Sequence, residues 1–168
     1  MTPRDPDSFP RRLDPERLGD HIDRLFRAAW GLCGSREEAE DLVQETYARV
    51  LSRPRFLRRE DDLAYLLRAL RNTFVAGRRS LRSRAVHAPL DEELDRAGDP
   101  DPGELALQRR VYGAIAELAP EFREALVAVD VAGLSYEEAA RSLGIPKGSV
   151  MSRLHRARAQ VVRAVDGR

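Results

Sequence analysis

Cysteine is nearly missing from this chain: Cys33 is the only one among 168 residues. One thiol excludes an internal disulfide. With only three histidines beside it, it also argues against a structural zinc site. Lysine is equally scarce, because 28 of the 29 basic residues are arginine and only Lys147 is not. No apolar run is long enough to cross a bilayer. The stretch Met1 to Phe9 is rich in Pro and Asp and has no apolar signal core. Membrane insertion and secretion are therefore not expected, and the cytoplasm is the default compartment. Walker-type phosphate loops are absent too. Asp41 and Glu45 stand four apart, but a surface helix rich in acids produces that spacing by chance. The sequence predicts no enzyme and no cofactor.

What is present suits a folded protein, with 42% hydrophobic and 34% charged residues. The length fits one ordinary domain or two small ones. Residues 1–17 read as a loose, disordered tail, broken by Pro3, Pro6, Pro10 and Pro15. From Leu18 the pattern turns helical: Ile22, Leu25, Phe26 and Ala29 recur at spacings of three and four, until Gly31 and Gly34 interrupt. Ser35 and Glu38 have the form of a capping box and open a helix over about 36–51. Its apolar side is Ala39, Leu42, Val43, Thr46, Tyr47 and Val50; Glu40, Asp41, Gln44 and Glu45 make the opposite, acidic side. A basic loop follows, with one exposed-looking aromatic, Phe56. A third helix is predicted over about 62–79, burying Leu63, Leu66, Leu67, Leu70 and Phe74. Residues 18–84 thus form one small helical domain.

Residues 85–104 are rich in Pro, Gly and acid, and read as a flexible acidic linker. Helical spacing resumes at Glu104, and Pro120 reads as the first residue of a further helix. Ser135 and Glu138 form a second capping box. Gly144 stands where a helix closes, and Pro146 opens a longer basic helix. Short helix, glycine turn and basic helix give residues 105–168 the helix-turn-helix layout. No strand is predicted. The expected fold is all-α: two small helical domains and a linker.

Charge is distributed unevenly beneath a net value of +1. Residues 63–88 hold six Arg and no acid, residues 91–104 hold seven acids and one Arg, and residues 141–168 hold seven basic residues and one acid. Two positive segments around an acidic one suggest two surfaces that meet a polyanion. On the last helix Val150, Leu154, Ala157 and Val161 repeat on one side and should face the core. Gly148, Met151, Ser152, His155, Arg156 and Ala159 then point largely outward. A helix in the major groove reads bases from its N-terminal half. Ser152, Arg156, Met151 and His155 are candidate base contacts, with Ser149 beside them. Lys147, Arg153, Arg158 and Arg163 are better placed for phosphate.

Three segments together resemble a known family. CGSREEAEDLVQETYARV (33–50) is similar to the central motif of conserved region 2 in bacterial extracytoplasmic-function (ECF) sigma factors, the minimal group 4 of the sigma-70 family. Residues 62–80 resemble the promoter-melting part of that region, and residues 116–159 resemble region 4 nearly throughout. The matches cover roughly two-thirds of the chain, in the family's order. The resemblance implies a specificity subunit of bacterial RNA polymerase. Asp41, Gln44 and Glu45 would meet the clamp helices of the β′ subunit, and the β flap would position the second domain, with residues 118–134 the contact side. The loop 52–61, with Arg55, Phe56, Arg58 and Arg59, would capture a base flipped from the −10 non-template strand. Tyr65 stands where the family usually has Trp. Asn72 falls at a −10 contact position, with Arg68, Arg71, Arg78 and Arg79 following the backbone. After Asn72 the family's Asp/Asn-rich continuation is replaced by Val75-Ala76-Gly77, and Gly77 weakens the helix there. An anti-sigma protein is an expected partner, beside polymerase and promoter DNA. A stand-alone helix-turn-helix regulator and a polymerase-binding decoy are the alternatives.

Overall fold

Leu25, Ala28, Ala29 and Leu32 share one face of a helical turn pattern. In the computed structural model they are buried on α1, Ile22–Cys33. Residues 11–57, 61–84 and 102–167 are described by the structure. The α1 helix ends at Gly34, whose φ of 79° is left-handed and whose N–H donates to the Trp30 carbonyl at 2.7 Å. Ser35 then caps α2, Arg36–Leu51, by accepting from the Glu38 amide. Ala39, Leu42, Val43, Thr46 and Val50 are the buried side of α2, as its spacing predicts. A third helix, α3, spans Asp62–Arg84 and buries Leu63, Leu66, Leu67 and Leu70.

The C-terminal half begins with α4, Pro102–Ala116, followed by α5, Pro120–Leu126, with proline in its first turn. A π-helical turn continues α5 over Val127–Val131. The short α6, Tyr136–Leu143, opens on a complete capping box between Ser135 and Glu138. Gly144, at φ 67°, closes α6 with a left-handed residue, and α7 runs over Lys147–Asp166. The chain is all-α in character, with two helical regions separated by residues that lie outside those described. The expected linker 85–104 falls almost wholly on that stretch, and α4 already begins at Pro102.

Three sequence expectations change. Gly31 does not interrupt α1, which runs on to Cys33. A Cβ at Gly31 would lie 2.9 Å from Val127 Cγ2, so the glycine serves a close approach rather than a break. The α3 helix continues past Arg79 to Arg84 with Gly77 inside it. In the proline-rich segment 1–17, residues 1–10 lie outside those described, and residues 11–17 are part of the fold rather than a loose tail. There β1, Arg11–Arg12, pairs antiparallel with β2, Phe56–Leu57, and a 3-10 helix covers Pro15–His21. Leu13 and Leu18 are 5% and 2% exposed, so this segment contributes to the core. Tyr47 OH donates to the Leu18 carbonyl at 2.7 Å, and Arg11 Nη2 lies 2.5 Å from the nearly buried Asp62 carboxylate. Proline kept this stretch out of an α-helix without keeping it out of the fold.

The two helical regions pack on each other. The indole of Trp30 stacks on Tyr112 of α4 at 4.3 Å between centroids and 11° between planes. Arg123 of α5, only 9% exposed, donates to the Leu32 carbonyl at 3.0 Å and lies over the Phe74 ring. Ser142 of α6 donates to the Ala64 carbonyl of α3. Replacing Gly31 with Ala should lower stability by about 1–3 kcal/mol through overpacking. Urea unfolding measures the loss, and adding Val127→Ala should recover part of it.

A candidate nucleic-acid interface

The α7 helix divides cleanly. Val150, Leu154 and Ala157 are at most 1% exposed and meet the core. Met151, Ser152, His155 and Arg156 are exposed on the opposite side, Ser149 and Arg153 are half-buried, and Val161 packs partly against the core. The first turn of α7 contains no acid. This presents the N-terminal half of a basic helix to solvent, which is the part a major-groove reader uses.

Two of the expected phosphate contacts are already engaged. Arg158 donates from Nε and Nη2 to both carboxylate oxygens of Asp130, at 2.8 and 2.7 Å. That fork raises the guanidinium pKa, the hydrogen bonds being the largest cause. Lys147 is paired with Glu137 at the start of α6, and this bond holds the Glu137 carboxyl below its ordinary range. Helical spacing alone could not reveal either partner, because Asp130 and Glu137 lie on other elements. Among the described residues, Arg156 and Arg153 carry no such intramolecular fork.

Helix α3 sorts its candidates onto two faces. Tyr65, Arg68, Asn72 and Arg79 follow at spacings of three, four and seven and form one stripe. The Arg68 guanidinium lies 5.5 Å from the Tyr65 ring centroid; Asn72 and Arg79 are exposed. Arg71, Phe74 and Arg78 form a second stripe. Arg71 Nε lies 2.8 Å from Glu124 Oε2 on α5, and the Phe74 ring takes both Arg78, at 5.6 Å, and Arg123, at 5.7 Å. The structure therefore separates Arg71 from Asn72, which sequence reasoning had grouped. Arg123 and Glu124 went unnoticed in the sequence because a lone arginine in a polar stretch carries no sign of burial.

Phe56 is 64% exposed and Arg55 is exposed beside it; Arg58 and Arg59 lie outside the described residues. On α2, Asp41, Gln44 and Glu45 are all exposed along one side, and Glu45 pairs with Arg49 at 2.5 Å. Residues 118–134, expected to meet the flap, bury Leu118, Ala125, Leu126, Val127, Ala128, Ala132 and Leu134 within the fold. Among the described residues no group of His, Cys, Asp and Glu could hold a metal ion, and no helix is long and apolar enough to cross a membrane.

Cys33 sits between the two regions. Burial, then the Glu38 carboxylate, push its thiol up to about 12, against the lowering effect of Arg78 and Arg123. A raised folded-state pKa means that the thiol's contribution to stability is complete below the ordinary value of 9.0 and is lost as pH climbs through about 12. The urea midpoint should therefore fall above pH 9. At about pH 8 a thiol reagent should label the native chain far more slowly than the unfolded chain.

Comparison with known proteins agrees with this organisation. A family model described as Sigma-70 region 2 matches residues 18–84, and one described as Sigma-70, region 4 matches residues 108–161. The ECF RNA polymerase sigma factor SigE of Mycolicibacterium smegmatis is 38% identical over 87% of this chain, which spans 59% of that relative's length. SigL of Mycobacterium tuberculosis, also an ECF RNA polymerase sigma factor, is 34% identical over 81% of this chain and 79% of its own. Among solved structures, the sigma factor RpoE in complex with the anti-sigma factor NepR from Bartonella quintana superposes with a TM-score of 0.66. It shares 26% identity over 90% of this chain and 95% of that one. CnrH, solved with the cytosolic domain of CnrY, shares the fold at a TM-score of 0.64 and 23% identity, over 90% of this chain and 86% of that one. With both regions in order and relatives matched along most of its length, the chain belongs to the ECF sigma factors of the sigma-70 family.

Proposed function

We propose that this chain directs RNA polymerase core to promoters. The C-terminal region binds the −35 element as duplex, with α6 and α7 acting as a helix-turn-helix. The N-terminal region holds and melts the −10 element. The observation that carries this reading is the division of α7: a fully buried Val150–Leu154–Ala157 side opposite exposed Met151, Ser152, His155 and Arg156. Arg156 reads a base edge, while Arg153 supplies phosphate contact. Lys147 and Arg158 contribute to DNA only after giving up Glu137 and Asp130.

In the N-terminal region the stripe Tyr65–Arg68–Asn72–Arg79 follows the −10 strand, and the loop bearing Phe56 receives an unstacked base. Arg71 joins them once its contact with Glu124 on α5 is released, and Arg78 once it leaves the Phe74 ring. Extruding a base costs a few kcal/mol, and stacking on an aromatic ring returns about 1–3 kcal/mol. The acidic row Asp41, Gln44 and Glu45 docks on the clamp helices of the β′ subunit, a pairing that favours orientation and rate. The acidic segment joins the two regions, and the β flap sets the position of the second region. An anti-sigma protein restrains the chain; the RpoE structure, solved in complex with the anti-sigma factor NepR, supports that class of regulator. The chemistry of transcription belongs to the polymerase.

Initiation from a pooled library of promoter fragments, with and without the chain added to core polymerase, tests the reading. Chain-dependent starts sharing −35 and −10 elements are expected. Polymerase binding without starts would instead indicate a decoy, and duplex binding without polymerase a stand-alone regulator. Arg156→Ala should weaken −35 binding by about 1–3 kcal/mol and relax preference at one position, read by footprinting. Unchanged affinity and preference would remove Arg156 from the interface.

A further inference from the structure

The strand β1 faces the loop that carries Phe56. Its register sets Arg11 opposite Leu57 and Arg12 opposite Phe56. Directly opposed residues of an antiparallel pair project to the same side, with Cβ atoms about 4.5–5.5 Å apart. Leu57 is 3% exposed and Phe56 64%, so the two pairs lie on opposite sides of the ribbon. Arg11 goes with the inner pair and reaches the buried Asp62 at the first turn of α3. Arg12 goes with the outer pair and is exposed beside the exposed phenyl ring.

The ribbon is held at both ends. The Leu13 amide donates to the Arg55 carbonyl at 2.8 Å, and the Leu13 side chain is buried in the core. Backbone pairing, the Arg11–Asp62 contact and Leu13 together fix where Phe56 points. A large apolar ring left in water, with a guanidinium beside it on the same face, matches single-stranded nucleic acid. The ring offers a platform to a base and the cation meets the adjoining phosphate. Duplex DNA offers no free base face to such a site.

We propose that Arg12 is a further contact to the single-stranded −10 segment, acting with Phe56 across the β1–β2 ribbon, and that Arg11 to Leu13 position this pair. The proposal rests on the promoter-binding reading above and adds a residue from outside the matched region 2. Its test uses holoenzyme assembled from core polymerase and the full chain. The probe is a labelled promoter fork whose −10 non-template strand is single-stranded, with its sequence taken from the mapped starts. The same promoter as full duplex is the control.

Arg12→Ala should weaken fork binding about three- to tenfold and lower the slope of log K against log salt by about 0.7, the share of one single-strand phosphate contact. Thermal unfolding of the free chain and binding of a −35 duplex should stay unchanged, since Arg12 is exposed. Arg12→Lys should restore most of the affinity. Phe56→Ala should weaken fork binding too, and the double variant should lose less than the sum of the two. If Arg12→Ala leaves both the affinity and the salt slope of the fork unchanged, Arg12 is not a contact, while the promoter reading stands. If the unmodified holoenzyme does not prefer the fork, both fall together.

Discussion

The fold depends on α1 being approachable from two sides. One side takes α2 and α3. The other offers Gly31 and the flat face of Trp30 to the C-terminal half. At Gly31 the missing Cβ admits Val127, and at Gly34 it admits Ala116, whose Cβ would otherwise stand 2.8 Å away. Small residues on a helix let a neighbour come close enough for dispersion to act over many atoms. Here they let one helix belong to two packed groups. Trp30 on Tyr112, Arg123 on the Leu32 carbonyl and Glu124 beside Arg71 all follow from that closeness.

Much of this was legible because it is local. Ser35, Ser135 and Gly144 announce helix ends through hydrogen bonds made within four residues, and each stands where its type suggests. The buried sides of α2 and α7 follow from spacing, since a helix of 3.6 residues per turn allows few other arrangements. The family resemblance assigned roles to particular faces, which spacing could not do. Those faces are exposed as expected: Asp41, Gln44 and Glu45 on α2, and Met151, Ser152, His155 and Arg156 on α7.

What stayed illegible depends on partners distant in sequence. Gly31 reads as a break until Val127 is known to lie against it. The stretch at Arg11 to Leu13 reads as tail because two-residue strands have no periodicity, and its partners, Arg55 to Leu57 and Asp62, come more than forty residues later. Arg71 and Asn72 adjoin in sequence yet face different neighbours, because one residue on a helix turns by about a quarter circle. The pairs Lys147–Glu137 and Arg158–Asp130 show the same limit. An arginine-rich chain has many cations to distribute, and its own carboxylates engage some of them before any polyanion does.

The seam between the two halves has a thermal character of its own. It encloses apolar groups, among them Leu32, Leu67, Leu70, Val127 and Leu143, around the Arg71–Glu124 pair. Parting the halves would wet that surface, and apolar hydration carries a large positive heat capacity. Any equilibrium between joined and parted halves would then have a curved temperature dependence. The favourable enthalpy or entropy of joining would change with the temperature at which it is measured. The Arg71–Glu124 pair adds an opposite sensitivity, to salt, because a partly exposed ion pair weakens as ions screen it. Heat and ionic strength would thus act on one seam through separate atoms.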